Sequence, residues 1–160
     1  MLLRLPASPA RPLLHRLLTA GLEAADPYQA LLKAVSLNGS SLRVGRRTFD
    51  LSHTRRVLVV GAGKASARMA QALELVLGQR LEDGLVIVKT GHSLATKRTT
   101  VLEASHPIPN RAGLAATQRL LGLAASLSPD DLLIVLLSGG ASSLLPAPVS
   151  GVTLTDKQRT

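Results

Sequence analysis

The chain has no cysteine and no tryptophan, and its 160 residues include a single tyrosine, Tyr28, and a single phenylalanine, Phe49. Without cysteine, disulfides, thiolate catalysis and cysteine-ligated metals are excluded, and a reducing, cytoplasmic setting is the expectation. So few aromatic rings leave almost nothing on which nucleic-acid bases could stack. That absence weighs against the formal net charge of +9, which by itself would point to a polyanionic partner. The excess is concentrated before residue 61, where nine Lys/Arg face three acids, against ten and seven in the remainder, and it is mostly arginine. No nucleic-acid partner is expected. No apolar run approaches the roughly 20 residues of a membrane span, so no membrane partner is expected either. Paired catalytic carboxylates and a serine nucleophile elbow are missing as well. The opening stretch MLLRLPASPARPLLHRLL carries arginine and no acid before Glu23, a superficial likeness to a transit peptide. Its second half reads better as a first helix.

What the chain does have is a strand followed by a glycine turn. Val57-Leu58-Val59-Val60 is an aliphatic run of the kind buried on both faces of a parallel sheet. It ends at Gly61-Ala62-Gly63-Lys64, and Lys64 to Gly78 follows with helical spacing of Ala65, Met69, Ala72, Leu73 and Val76. Strand, glycine turn and helix N-terminus together form an anion site: backbone N–H groups are expected to approach an oxygen closely, and the helix dipole favours negative charge. Lys64, read here in the first helical turn, is unfavourable for the helix unless an anion is present. A Walker A loop is excluded, because Leu58 stands at its first glycine and Ala65 follows the lysine. The dinucleotide fingerprint lacks its third glycine, at Ser66, and the next strand ends in Lys89 rather than an acid. That argues against NAD and leaves NADP open.

Around this unit the pattern predicts helices at 12–24 and from Tyr28 to Val35, the second capped by Asp26, then a turn at Asn38-Gly39 and a short hairpin from Ser41 to Leu51. Gly84 opens a strand from Leu85 to Val88, ending at Lys89-Thr90-Gly91-His92. A third strand, Thr99 to Glu103, runs into Ser105-His106-Pro107-Ile108-Pro109-Asn110, where the two prolines fix the loop and cis bonds are possible. A helix from Arg111 to Leu127, with Asn110 as cap, precedes six consecutive aliphatics, Leu132 to Leu137, read as a second fully buried strand. Ser138-Gly139-Gly140-Ala141-Ser142-Ser143 follows, a hydroxyl- and glycine-rich turn able to form a nest of N–H groups. A final helix is expected with Thr155 as its cap.

Alternating strands and helices imply an α/β fold, a Rossmann-like doubly wound, mostly parallel sheet with helices on both faces. Residues 1–52 are expected to form N-terminal helices and the hairpin, 53–146 the core, and 147–160 a linker and helix start. Ligands of such sheets collect beyond the carboxyl ends of strands. The candidate residues all sit there: Gly61, Gly63, Lys64 and Ser66; Lys89 and His92; His106; and Ser138, Gly139, Gly140, Ser142 and Ser143. His92 and His106 lack nearby carboxylates, so no metal site is expected. Cations and N–H donors without an obvious nucleophile suit phosphoryl transfer, where the protein positions groups and neutralises charge.

Four stretches together, VLVVGAGKAS at 57–66, VKTGH at 88–92, SHPIPN at 105–110 and LLSGGASSLLPAPVSGVTLTDKQ at 136–158, resemble the glycerate 2-kinase family with a C-terminal MOFRL domain, some of whose members carry the name hydroxypyruvate reductase. AADP at 24–27 agrees with that family's opening helices. The resemblance implies ATP- and Mg2+-dependent phosphorylation of D-glycerate to 2-phosphoglycerate, with Lys64 as the catalytic lysine and Ser138-Gly139-Gly140 in a ligand loop. Ala141 and Ser143 stand where many members have Gly and Ala. Family members are much longer, so the chain reads as an N-terminal portion without the MOFRL domain. Its expected partners are D-glycerate and a nucleotide, with a second copy of the chain or a separately encoded C-terminal half as macromolecular candidates. Two other readings stay open: an NAD(P)H-dependent hydroxypyruvate reductase, and a sugar-phosphate-binding module like the sugar-isomerase domains, whose Ser-x-Ser loops the sequence does not quite match.

Overall fold

A computed structural model describes residues 6–159. The first five residues of the arginine-bearing opening stretch lie outside that range. After α1 (Arg11–Ala24) and α2 (Pro27–Ala34) comes an antiparallel three-stranded sheet, β1 (Val35–Asn38), β2 (Ser41–Val44) and β3 (Arg47–Asp50), in that order. The expected hairpin is its β2–β3 half. The strand β1 was not foreseen: α2 stops at Ala34, and Val35 already pairs with Val44. Asp26 caps α2 as expected, accepting the Tyr28 N–H at 2.9 Å.

The main sheet holds β4 (Val57–Ala62), β5 (Leu81–Lys89), β6 (Thr99–Ala104) and β7 (Leu132–Leu137) in the order β6-β5-β4-β7, every pair parallel. The fold is thus the expected α/β type, with helices on both faces. β4 is buried along its whole length. Val57 and Val59 pack with Leu73 and Leu77 of α3 (Ser66–Leu77), while Val60 and Ala62 pack with Leu120 of α4 (Arg111–Ala125) and Leu144 of α5 (Ala141–Leu144). Each fully buried leucine contributes roughly 1.5–3 kcal/mol, so these two layers hold the turn after β4 in place. Asn110 caps α4, accepting the Gly113 N–H at 2.9 Å.

Several boundaries differ from expectation. β5 begins at Leu81, four residues early, and Gly84 lies inside it, where a side chain would press on the Val59 carbonyl oxygen at 3.0 Å. β7 is not fully buried. It forms an edge of the sheet, with Val135 and Leu137 52% and 61% exposed and only Leu136 buried. α3 begins at Ser66, so Lys64 precedes the helix rather than sitting in its first turn. The last helix, α6 (Leu154–Arg159), is capped by Thr153 instead of Thr155: Thr153 Oγ1 accepts the Asp156 N–H and donates to the Asp156 carboxylate at 2.6 Å.

Candidate functional site

The chain runs outward from β4 through β5 to β6, then returns to add β7 on the other side of β4. The reversal lies between β4 and β7, and ligand crevices of open α/β sheets form at such points. Two loops meet there, the Gly61–Lys64 turn at the end of β4 and the Ser138–Ser143 loop after β7.

Their contact is tight. A β-carbon on Gly61 would fall 2.2 Å from the Leu136 carbonyl oxygen, and one on Gly63, whose φ is +134°, would fall 2.1 Å from Ser138 Oγ. Backbone bonds lock the pair. Lys64 N–H donates to Gly139 O at 3.1 Å and Ser138 N–H to Ala62 O at 3.1 Å, while Gly63 N–H donates to Ile87 O of β5 at 3.0 Å. The Ala65 N–H donates to Ser138 Oγ at 3.0 Å. The expectation that N–H groups of the first glycine turn would face an anion is corrected here, because Gly63, Lys64, Ala65 and Ser66 all spend theirs inside the protein. Both glycines serve close packing instead. Ser66 is likewise turned inward; fully buried, it donates its hydroxyl to Leu136 O at 3.1 Å, so it braces the loops rather than facing a ligand as expected.

The second loop keeps the free donors. Among the described residues, the N–H groups of Gly139, Gly140, Ser142 and Ser143 have no hydrogen-bond partner. Ser142 is exposed, while the Ser143 hydroxyl donates back to Gly140 O at 3.1 Å. Gly140 has φ +93°, and a β-carbon there would lie 2.8 Å from Cδ2 and 2.9 Å from Nε2 of His106, and 3.6 Å from Cε of Lys64. One glycine therefore carries an imidazole edge and a lysine stem on the same side. The sequence placed these three residues 42 and 34 positions apart and gave no sign that they touch. The His106–Pro107 peptide is cis, and the ring stands on a loop held by buried Pro109 and by the Asn110 side chain, which accepts the Ser105 N–H at 3.4 Å.

Lys89 and His92 sit at the end of neighbouring β5. His92 is exposed, and its N–H donates to Lys89 O at 2.9 Å, closing a turn that Glu103 stabilises by accepting from Gly91 and Ser93. Among the described residues no hydrogen bond or ion pair joins Lys89 or His92 to Lys64, His106 or Ser138. The structure thus brings together Lys64, His106 and the Ser138–Ser143 loop, and leaves Lys89 and His92 on the adjacent strand end.

No carboxylate is among the groups that meet at Gly140, so this surface presents cation, imidazole, hydroxyl and N–H groups. Such a set suits the oxygens of a phosphate or carboxylate. It does not fit a resident magnesium ion, which takes carboxylate and phosphate oxygens, and the described residues hold no group of three His, Asp or Glu able to bind a metal. Two clefts lie elsewhere, one of about 840 Å³ on the outer side of α3 between Tyr28, Arg68, Glu74 and Lys97, another of about 850 Å³ between α4 and α6.

Two acidic residues that the sequence reading passed over stabilise this framework. Burial works against the charge of Glu74, but the N–H groups of Lys97, Arg98 and Thr99, each at 2.8 Å, outweigh it and hold the carboxyl below its ordinary value. Asp131, just before β7, accepts from Arg56 at 2.7 Å, from Arg55 at 2.9 Å and from the Ser128 N–H at 2.8 Å, and these bonds hold its carboxyl far below the usual carboxylate range against the opposing effect of burial. Only the tertiary fold shows that these arginines, part of the basic N-terminal excess, clamp the start of β4 to β7.

Residues 13–160 match the model of a family described as a domain of unknown function, DUF4147. A glycerate 2-kinase of Pyrococcus horikoshii is 34% identical over 145 residues, which is 91% of this chain and 32% of that protein. A protein of Agrobacterium vitis that carries a provisional hydroxypyruvate reductase name is 36% identical over 149 residues, 93% of this chain and 31% of that one. Among solved structures, a Pyrococcus horikoshii protein superposes with a TM-score of 0.82 at 34% identity, covering 95% of this chain and 34% of that one. The chain spans about a third of the length of the relatives it matches. No helix among the described residues is long and apolar enough to cross a membrane.

Proposed function

The chain belongs to the DUF4147 family, and from that premise we propose that it carries the phosphate-handling wall of a glycerate kinase, which transfers the terminal phosphoryl group of ATP to the 2-hydroxyl of D-glycerate. Homologues named glycerate kinase support the kinase role. The observation that carries the assignment of the site is the convergence of Lys64 and His106 on Gly140, at the switch point between β4 and β7.

In this reading Lys64 is the catalytic cation. Its ammonium group neutralises charge on the phosphoryl oxygens as they pass between donor and acceptor, the contribution that phosphoryl transfer most needs from a protein. Free N–H groups at Gly139 and Gly140 and the Ser142 hydroxyl orient the phosphate or the glycerate carboxylate. His106 supplies a further donor beside the lysine, and Lys89 and His92 add positive or polar character at the flank. Magnesium would arrive with the nucleotide, since the residues here do not form a site for it. D-glycerate and the nucleotide are the proposed partners. The remaining walls of the site would come from sequence equivalent to the other two-thirds of the relatives, whether in the same polypeptide or in a separately encoded half.

The competing reductase reading has the name of the Agrobacterium relative in its favour. Against it, the backbone donors that a dinucleotide pyrophosphate would need at the first glycine turn are already engaged. Phosphorus NMR of the protein with ATP, Mg2+ and D-glycerate tests the proposal: growth of a 2-phosphoglycerate signal that disappears in Lys64→Ala supports it. Oxidation of NADPH by hydroxypyruvate, with no phosphoglycerate formed, overturns it.

A further inference from the structure

Arg68, Gln71 and Leu75 recur at helical spacing on the outer stripe of α3 and line the cleft of about 840 Å³ together with Tyr28 of α2 and the 95–98 segment. These elements are tied to one another within this chain. Gln71 donates to Ala95 O at 2.7 Å, the Glu74 carboxylate accepts the Lys97 and Arg98 N–H groups at 2.8 Å, and Arg68 lies 4.6 Å over the Tyr28 ring. The cleft is therefore formed without any residue from the further sequence of the longer relatives. Its charge is one-sided. Arg68, Lys97 and Arg98 stand against Glu74, whose oxygens already accept three backbone N–H groups. Lys97 makes no ion pair among the described residues, and Arg68 reaches Asp26 only at 3.4 Å. Leu75, 64% exposed, adds an apolar surface.

We propose that this cleft is a second binding site, for a small organic phosphate, with the phosphate on Lys97 and Arg98 and the carbon body against Leu75. The volume falls within the roughly 300–1,000 Å³ of small-molecule sites, whose lining combines apolar surface with a few convergent polar groups. Guanidinium and ammonium groups side by side suit phosphate oxygens. The site is separate from the β4–β7 loops. Lys97 and Arg98 precede β6, whose six residues put about 20 Å between them and the carboxyl ends of the strands. This inference does not depend on the proposed activity.

Tyr28 is the single tyrosine of a chain without tryptophan, so tyrosine fluorescence reports on this cleft alone. An anion that draws Arg68 off the ring changes that emission. The test titrates n-butyl phosphate into the full chain at constant ionic strength, with inorganic phosphate and butanol as comparisons. A saturable change is expected with the ester, weaker binding with inorganic phosphate, and no response to butanol. Lys97→Ala and Arg98→Ala should each weaken binding roughly fivefold, while Lys97→Arg should bind like the parent. Both alanine variants keep the backbone N–H groups that hold Glu74, and circular dichroism checks that they stay folded. Lys64→Ala should leave the titration unchanged. Absence of a saturable response overturns the proposal, as does a response undiminished in both alanine variants. A response lost in Lys64→Ala also overturns it and assigns the phosphate to the β4–β7 loops.

Discussion

Gly63 and Ser138 occupy nearly the same space: a β-carbon on the glycine would lie 2.1 Å from the serine hydroxyl oxygen and 2.6 Å from the serine carbonyl oxygen. This contact joins the two loops of the site. Gly63→Ala must displace backbone as well as a hydroxyl, and at φ +134° the alanine is strained in any case. It should cost about 3 kcal/mol or more in urea denaturation. Adding Ser138→Ala should not rescue it, because the carbonyl clash persists.

Ser138 alone has a smaller, separable role. Its hydroxyl accepts the Ala65 N–H at 3.0 Å ahead of α3. Ser138→Ala leaves that donor unpaired and should cost about 1–2 kcal/mol, while Ser138→Thr, which keeps the oxygen, should cost less. Equal losses in both variants would mean that the bond contributes nothing.

Glu74 pins the segment before β6 to α3 through three backbone N–H groups. Glu74→Ala should speed hydrogen exchange at the Lys97, Arg98 and Thr99 amides, with little change at Val59 or Val60 in β4. Unchanged protection at the three amides would show that this segment is held by something else.

Asp131 gives the fold a pH dependence whose sign follows from its partners. Arg56 first, then Arg55, hold the carboxyl far below its value of about 3.9 in an unfolded chain. A carboxylate depressed on folding stabilises the native state fully above its unfolded pKa, and that contribution fades as pH falls toward the folded one. The difference in urea midpoint between the parent protein and Asp131→Asn should therefore be largest near neutral pH and shrink progressively below about pH 4. A difference constant across the acid range would contradict the pairing.

Much of the architecture was legible because it depends on local pattern. Val57–Val60 has the aliphatic continuity of a central strand, Asp26 and Asn110 carry cap chemistry in their own side chains, and the four polar strand ends follow from parallel topology. What was missed depends on neighbours that a linear sequence does not show. Leu132–Leu137 reads as buried on both faces, but its position at the sheet edge leaves Val135 and Leu137 open. Gly61 and Gly63 read as donors to an anion, yet the chain on β7 comes so close that their N–H groups and their missing side chains serve packing. Ser66 turned inward for the same reason. The meeting of Lys64, His106 and Gly140 required three separate strand ends to be brought together.

The central claim, that Lys64 and the Ser138–Gly140 loop form one anion site, is tested most directly by titrating Mg·ATP into the protein and into Lys64→Ala by calorimetry. Because Lys64 is exposed and precedes α3, the variant should keep the parent melting temperature. The account predicts that it binds the nucleotide at least tenfold more weakly, the loss expected for removing one charge-assisted phosphate contact of about 1.5–3 kcal/mol. Equal affinity in the two proteins, with both folded, would contradict it and move the phosphate away from the β4–β7 switch point.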